Sequence, residues 1–265
     1  MNIAVCVKPV PDPEKYNLLE IDPKTKRLVR EGIPTIINPA DKNALEAALR
    51  LKELHGGRVA VISMAPLFSQ DKIKECLAMG ADEAYLISDR AFGGADTFST
   101  SYTLAKGLEK TGIQFDLILA GNDSADGATS HVPSQLGEWM ELPHITNITE
   151  IEIHNGTASV KKKISDGLIE YDMELPAVAG IARNSNKPRM VSAMGIVKAK
   201  NKKIEVYTQK DLDVDEGLIG LSGSPTQPGQ LLTPDMSRNA RLLQGEPAEI
   251  AAELLAIIRK AGIAV

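Results

Sequence analysis

Short apolar runs alternate with amphipathic stretches over the first two thirds of the chain. Asn2–Val7 (NIAVCV), Val59–Met64 (VAVISM), Ala84–Ile87 and Leu117–Ala120 are almost continuously apolar, without in/out alternation. Between them apolar residues recur with helical period: Ala44, Leu45, Ala48, Leu49 and Leu51, then Ile73, Cys76 and Leu77, then about Thr97 to Leu108. Strands covered on both faces carry such runs, and helices on both sides of a parallel sheet produce this rhythm. The pattern predicts an α/β fold with a mostly parallel sheet.

Turn chemistry sharpens the boundaries. Gly56-Gly57 and Gly80 end helices, and Pro9, Pro11 and Pro13 mark a turn after the first strand. A polar excursion, read as a hairpin through Asp22-Pro23-Lys24, returns to Ile36-Ile37. Asn38-Pro39-Ala40-Asp41 starts a helix, with Asn38 and Asp41 as side chains that can cap its free N–H groups. Beyond Pro143 the period changes. Ile148–Ile153, Ala158–Ile164 and Leu168–Met173 alternate, with turns at Asn155-Gly156 and Asp166-Gly167, as in a small antiparallel portion. Pro176–Ile181 is again an apolar strand. A Gly/Ser/Pro/Thr loop from Gly217 to Pro234 precedes a last helix begun by Pro247, whose apolar face is Ile250, Leu254, Ile257 and Ile258. The expected division is an α/β nucleotide-binding domain over 1–220 and a loop-and-helix arm over 221–265 that packs on another chain.

Composition narrows the class. A chain of 265 residues with 43% apolar content buries a full core. Its net charge of −5 argues against a nucleic-acid partner. No apolar run reaches the roughly 20 residues of a membrane span. The N-terminus enters a strand directly, with no export signal, and Cys6 and Cys76 lie far apart in apolar segments. Both suit a reducing, cytoplasmic setting. There is no G-x-x-x-x-G-K-[ST], G-x-G-x-x-G, H-E-x-x-H, C-x-x-C or G-x-S-x-G, and His55, His131, His144 and His154 are scattered. Neither a catalytic set nor a metal site is expected.

Asp116–Pro143 carries the candidate chemistry. Its apolar run stops at Gly121 and gives way to Asn122, Asp123, Ser124, Ala125, Asp126, Gly127, Ala128, Thr129 and Ser130, after which Leu136, Trp139 and Met140 resume a helical pattern. A strand, a small-residue loop and a helix start present backbone N–H groups to an anion and let a pyrophosphate approach closely. Ser124, Asp126, Thr129 and Ser130 serve equally well as turn and cap residues, and His131 as a ligand contact or a helix start. The run Lys198, Lys200, Lys202 and Lys203 reads as a solvated face, with a docking role as the alternative.

Several of these segments together resemble the β (small) subunit of electron transfer flavoproteins. They are VCVKPVPD (Val5–Asp12), INPADKNALEAALRLKE (Ile37–Glu53), VAVISMAP (Val59–Pro66), CLAMGADEAYLI (Cys76–Ile87), DLILAG (Asp116–Gly121), DGLIEYDMELPAV (Asp166–Val178) and KPRMVSAMGIVKAKNKKIEV (Lys187–Val206). The resemblance implies a Rossmann-like fold of the adenine-nucleotide α hydrolase-like type and a partner α (large) subunit carrying FAD. It implies an adenine-nucleotide pocket formed by Cys6, by Asn38, Pro39, Ala40 and Asp41, by Met64, and by Gly121 through His131 to Val132. One branch of the family holds AMP there and shuttles electrons. A bifurcating branch holds a second FAD, takes electrons from NADH and divides them between ferredoxin and a flavin-dependent acyl-CoA-type dehydrogenase. Gly223-Ser224-Pro225-Thr226, continuing to Thr233-Pro234 and Gly245, resembles a motif of that branch, which places Ser224 and Thr226 at the FAD. Two positions depart from the usual pattern: Ala193 stands where a leucine anchors the dehydrogenase, and Lys163 where an acidic residue pairs with the large subunit. An alternative of another class is an adenine-nucleotide-hydrolysing or -transferring enzyme, which would need a phosphate-clamping Lys or Arg that the loop itself lacks.

Overall fold

The computed structural model describes residues 1–18, 20–21, 28–29, 34–227, 229 and 240–263. In chain order the strands and helices begin β1 (Asn2–Cys6), β2 (Pro9–Pro11), β3 (Glu20–Ile21), β4 (Leu28–Val29), β5 (Thr35–Ile37), α1 (Pro39–His55), β6 (Arg58–Met64), α2 (Gln70–Met79), β7 (Glu83–Ile87), α3 (Thr97–Lys110) and β8 (Leu117–Gly121). They continue α4 (Val132–Trp139), β9 (His144–His154), β10 (Thr157–Ile164), β11 (Gly167–Glu174), β12 (Ala177–Ile181), α5 (Ala193–Lys200), β13 (Ile204–Tyr207) and α6 (Pro247–Lys260).

One nine-stranded sheet runs β11-β10-β9-β12-β8-β1-β6-β7-β13. From β9 to β13 neighbours are parallel, and only β9-β10-β11 pair antiparallel. The apolar runs are the reason: every residue of β8 and of β12 is buried. One core layer packs α1 and α2 on Val5, Val61, Leu119 and Ala179. The other packs α3 and α4 on Ala4, Ile62, Ile118 and Val178. Successive strands thus supply opposite layers from alternate residues, as a doubly covered sheet requires. The α/β architecture read from the sequence is the one observed.

Several local expectations are revised. The Pro9–Pro11 segment is a strand, pairing with β5 through Val10 opposite Ile36; a two-stranded ribbon tolerates prolines that a central strand would not. Asp22-Pro23-Lys24 lies outside the described residues, although β3 and β4 on either side of it pair antiparallel. The alternating strand at 148–153 extends to β9 and is shared, parallel to β12 on one side and antiparallel to β10 on the other. The lysine-rich run covers part of a helix, α5, with Ser192 as its cap accepting from Gly195 N–H at 3.0 Å.

The chain divides into two compact units, Met1–Gly229 and Gln230–Val265. The second unit contains α6, whose start is closed by the reciprocal pair Glu246 and Glu249, and in which Arg241 pairs with Glu253. None of α6's side chains is buried.

Candidate functional site

Strand order reverses between β1 and β8: from β1 the chain builds outward through β6 and β7, then crosses back to β8 on the other side. Helices leave in opposite directions there, which opens a crevice at the carboxyl ends of the two strands. Cys6 ends β1 and Gly121 ends β8, and Cys6 lies opposite Ala120. The start of α1 fills the base of this crevice.

Asn38 and Asp41 form its centre. The Asp41 carboxylate accepts from the Lys8 N–H at 2.7 Å, the Gly121 N–H at 3.0 Å and the Asn38 amide at 2.9 Å. Asn38 also donates to the Asp123 carbonyl at 2.8 Å and accepts from the Ala125 N–H at 3.1 Å. Both residues are buried. The Asn38 side chain accepts from no backbone N–H of the α1 start, so the capping role expected of it is not the one it plays. It ties α1 to the loop after β8 instead. A side chain at position 121 would not fit: a Cβ there would stand 2.3 Å from Asp41 Oδ1 and 2.7 Å from the Ala40 carbonyl carbon.

Electrostatics follow from this burial. Desolvation pushes the Asp41 carboxyl up to about 7, against the pull of its three hydrogen bonds and of nearby Lys8. Burial, aided by Asp41, pushes the Cys6 thiol up to about 12 and keeps it an unreactive wall residue. Lys8, two residues beyond β1, places its ammonium 2.7 Å from Asp126 in the loop. Sequence reading missed Lys8, because a lysine in a proline-rich turn carries no pattern. It also missed Asn147, in the left-handed region on β9, whose N–H donates to the Asn122 side chain at 2.8 Å.

The loop itself is small and open. Ser124 turns it, its carbonyl accepting from Gly127 and Ala128 N–H groups at 3.2 and 2.7 Å. Ala128 and Ser130 adopt positive φ of 51° and 59°, and residues 127–131 are exposed. His131 occupies the position before α4 and makes no side-chain cap to it. With Pro133 in the first turn, the α4 start faces the loop uncapped by any side chain. These features suit a phosphate held by main-chain groups. Met64 is half-buried at the end of β6, packed against the α3/α4 core layer. The structure therefore gathers Cys6, Asn38–Asp41 and Gly121–Val132 around one strand-end crevice.

Ser224 and Thr226 are placed differently. Ser224 Oγ accepts from the Asp96 N–H at 2.8 Å and donates to the Gly220 carbonyl at 2.7 Å; the Thr226 N–H donates to Asp96 at 2.9 Å. Both secure Asp96, which caps the start of α3. Phe98, in the first turn of α3, lines a hollow of about 300 Å³ with Gln135, Glu138 and Trp139 of α4. Gln135 Oε1 is buried without a partner among the described residues.

The fold is Rossmann-like, with a crevice at the carboxyl ends of β1 and β8. Residues 25–212 match the electron transfer flavoprotein domain. The chain is 42% identical over 256 residues to "Electron transfer flavoprotein subunit beta" of Thermoanaerobacterium thermosaccharolyticum, covering 96% of both. It is 39% identical over 260 residues to the like-named protein of Clostridium acetobutylicum, 98% of each, and 40% identical over 262 residues to "Caffeyl-CoA reductase-Etf complex subunit CarD" of Acetobacterium woodii, 98% of each. The chain belongs to the electron transfer flavoprotein family, on its β-subunit side.

Proposed function

We propose that this chain pairs with an α subunit and holds FAD in the β1/β8 crevice, passing electrons by flavin-based bifurcation. The nucleotide would be held by Asn38–Asp41, the backbone of Gly121–Val132 and the walls Cys6 and Met64. Flavin supplies the redox chemistry; the protein's part is to fix distance, exclude water and set the polarity around the ring. Electrons would come from NADH and leave to ferredoxin and to a flavin-dependent acyl-CoA-type dehydrogenase, in a cytoplasmic setting. No helix among the described residues is long and apolar enough to cross a membrane. Residues 221–265 would serve as the arm that packs on the α subunit, for which the exposed apolar side of α6 provides the surface.

The observation that carries the reading is the crevice, where an open small-residue loop meets an uncapped helix start. The choice of FAD over AMP is favoured by the aromatic-lined hollow at Phe98 and Trp139, beside the α3 start that Ser224 and Thr226 secure. The relation to a subunit of a caffeyl-CoA reductase complex points the same way. A nucleotide-hydrolysing role is disfavoured: Lys8, the cation that reaches the loop, is engaged with Asp126. The test is the nucleotide content of the purified heterodimer. Two FAD per heterodimer supports bifurcation. One FAD with one AMP makes the complex a simple shuttle, and no nucleotide removes the site.

A further inference from the structure

Lys8 is fastened to three walls of the crevice at once. Its N–H donates to Asp41 Oδ2 at 2.7 Å, and its carbonyl accepts from the Asn38 N–H at 2.9 Å. Pro9 follows, which confines the Lys8 backbone to extended conformations. Pro9 itself lies opposite Ile37 in the β2–β5 ribbon. The base of the side chain is therefore fixed on both sides. From that base the ammonium reaches the loop after β8 and stands 2.7 Å from Asp126 Oδ1. Since β1 and β8 are neighbours at the point where strand order reverses, this bond spans the crevice between their ends.

The two ends of the bridge differ in exposure. The Lys8 side chain is 48% exposed and that of Asp126 only 11%. An exposed ion pair contributes little, but a carboxylate largely withdrawn from water loses much when its cation is taken away. Asp126 is thus the end that depends on the bond. Its place in the loop gives that dependence a consequence. Asn38 holds the root of the loop, through the Asp123 carbonyl and the Ala125 N–H. Directly after Asp126 come Gly127 and Ala128, folded back on the Ser124 carbonyl, and then the exposed run to His131 that leads into α4. Lys8 therefore fixes the junction between the tethered root and the open part.

We propose that Lys8 is a positioning residue for the nucleotide: it bridges the crevice to Asp126 and so sets where the main-chain N–H groups of residues 127–132 stand when a phosphate arrives. Its ammonium stays on Asp126 and does not hold the phosphate itself. The inference rests on the nucleotide reading above and deepens it, naming a residue outside the loop that prepares the loop. A bridge made beforehand lowers the ordering cost of binding. Removing either end then has the same consequence, since the two side chains act as one unit. A lysine acting directly on the phosphate would behave differently. Only its own loss would weaken binding, and freeing it from Asp126 would strengthen binding.

The experiment uses the heterodimer with AMP and FAD as probes, comparing wild type with Lys8→Met, Asp126→Asn and the double variant. The expected result is a dissociation constant raised about tenfold in each single variant and no further in the double. Lys8→Arg keeps the charge on a different shape and should fall between wild type and Lys8→Met. Amide hydrogen exchange should rise over residues 122–131 and stay as in wild type within β6 and β12. A dissociation constant unchanged in Lys8→Met overturns the proposal, as does a rise in exchange spread over the whole sheet. A loss confined to Lys8→Met, with Asp126→Asn binding as well as wild type or better, also overturns it and puts Lys8 on the phosphate. Should Lys8→Met not fold, Asp126→Asn and Lys8→Arg give the same comparison. If the wild-type complex binds neither AMP nor FAD, the nucleotide reading fails by itself, and the exchange measurement alone decides whether Lys8 holds the loop.

Discussion

Helices α1 and α6 look alike as sequence and behave oppositely as structure. Each has proline in its first turn and an apolar stripe. α1 buries Ala40, Ala44, Leu45, Ala48, Leu49 and Leu51, together with Asp41, Asn43 and Glu46, while α6 buries nothing. The difference lies in the polar residues. Those buried on α1 each have partners from distant segments: Lys8 and Gly121 for Asp41, Asn184 and Asn186 for Asn43, Arg189 for Glu46. An apolar stripe announces that a helix will pack; satisfied buried polar groups show what it organises. α1 organises the crevice at one end and the Asn184–Arg189 segment along its side, whereas α6 has no buried polar residue to organise anything.

The contrast can be broken most severely at Gly121. Gly121→Val forces α1 away from β8 and pulls Asp41 off one of its three donors, and about 3–5 kcal/mol of stability should go, read by denaturant unfolding of the subunit. A variant as stable as wild type would show that α1 is not wedged there. Next comes Glu46→Gln, which leaves Arg189 and Arg50 facing a neutral amide. Because both arginines are partly open to water, the expected loss is about 2 kcal/mol, smaller than for a sealed ion pair.

Asp41 sharpens the comparison through pH. Its carboxyl titrates at about 7 folded and at about 3.9 unfolded. Between those values the folded state holds the extra proton, so stability is complete below pH ~4 and declines as pH rises through 7. The slope contributed is at most about 1.4 kcal/mol per pH unit. The stability difference between wild type and Asp41→Asn should carry that slope, and a flat difference from pH 4 to 7 would place the folded pKa near its ordinary value. The smallest effect on the fold belongs to α6. Leu254→Ser with Ile257→Ser should shift the subunit's own unfolding by no more than about 0.5 kcal/mol per site. The same pair should weaken association with the α subunit, measured by analytical ultracentrifugation; unimpaired association would deny α6 the role of an arm.

Legibility in the sequence followed burial. Strands such as Leu117–Ala120 are visible because a doubly covered strand has no polar positions to disguise it. The loop after β8 is visible because the apolar run stops at Gly121, where a side chain would meet α1, and small and polar residues follow. α5 was obscured by lysines that lie along an exposed helix and by apolar residues turned to solvent, a reversal of the usual pattern. Lys8, Asn147 and Arg189 could not be found by spacing, since each acts on a segment more than 20 residues away in the chain. Asn38 and Asp41 are visible as helix-start residues and, through the resemblance, as pocket residues, while their tether to the loop after β8 is not: cap chemistry and tether chemistry use the same side chains.

Ala128 and Ser130 stand in a backbone region that costs an L-residue about 1 kcal/mol or more, and neither is a glycine. Asn38 and the Lys8–Asp126 pair hold the loop there at the expense of folding. Its shape is thus settled before any nucleotide arrives. Exchange of a bound nucleotide would then be governed by its own escape and not by a loop that must first unfold or refold, giving a single slow dissociation phase. On the proposed reading, a cofactor so held would stay through many rounds of electron transfer and would be inherited by the complex at assembly instead of being drawn from the pool at each turnover.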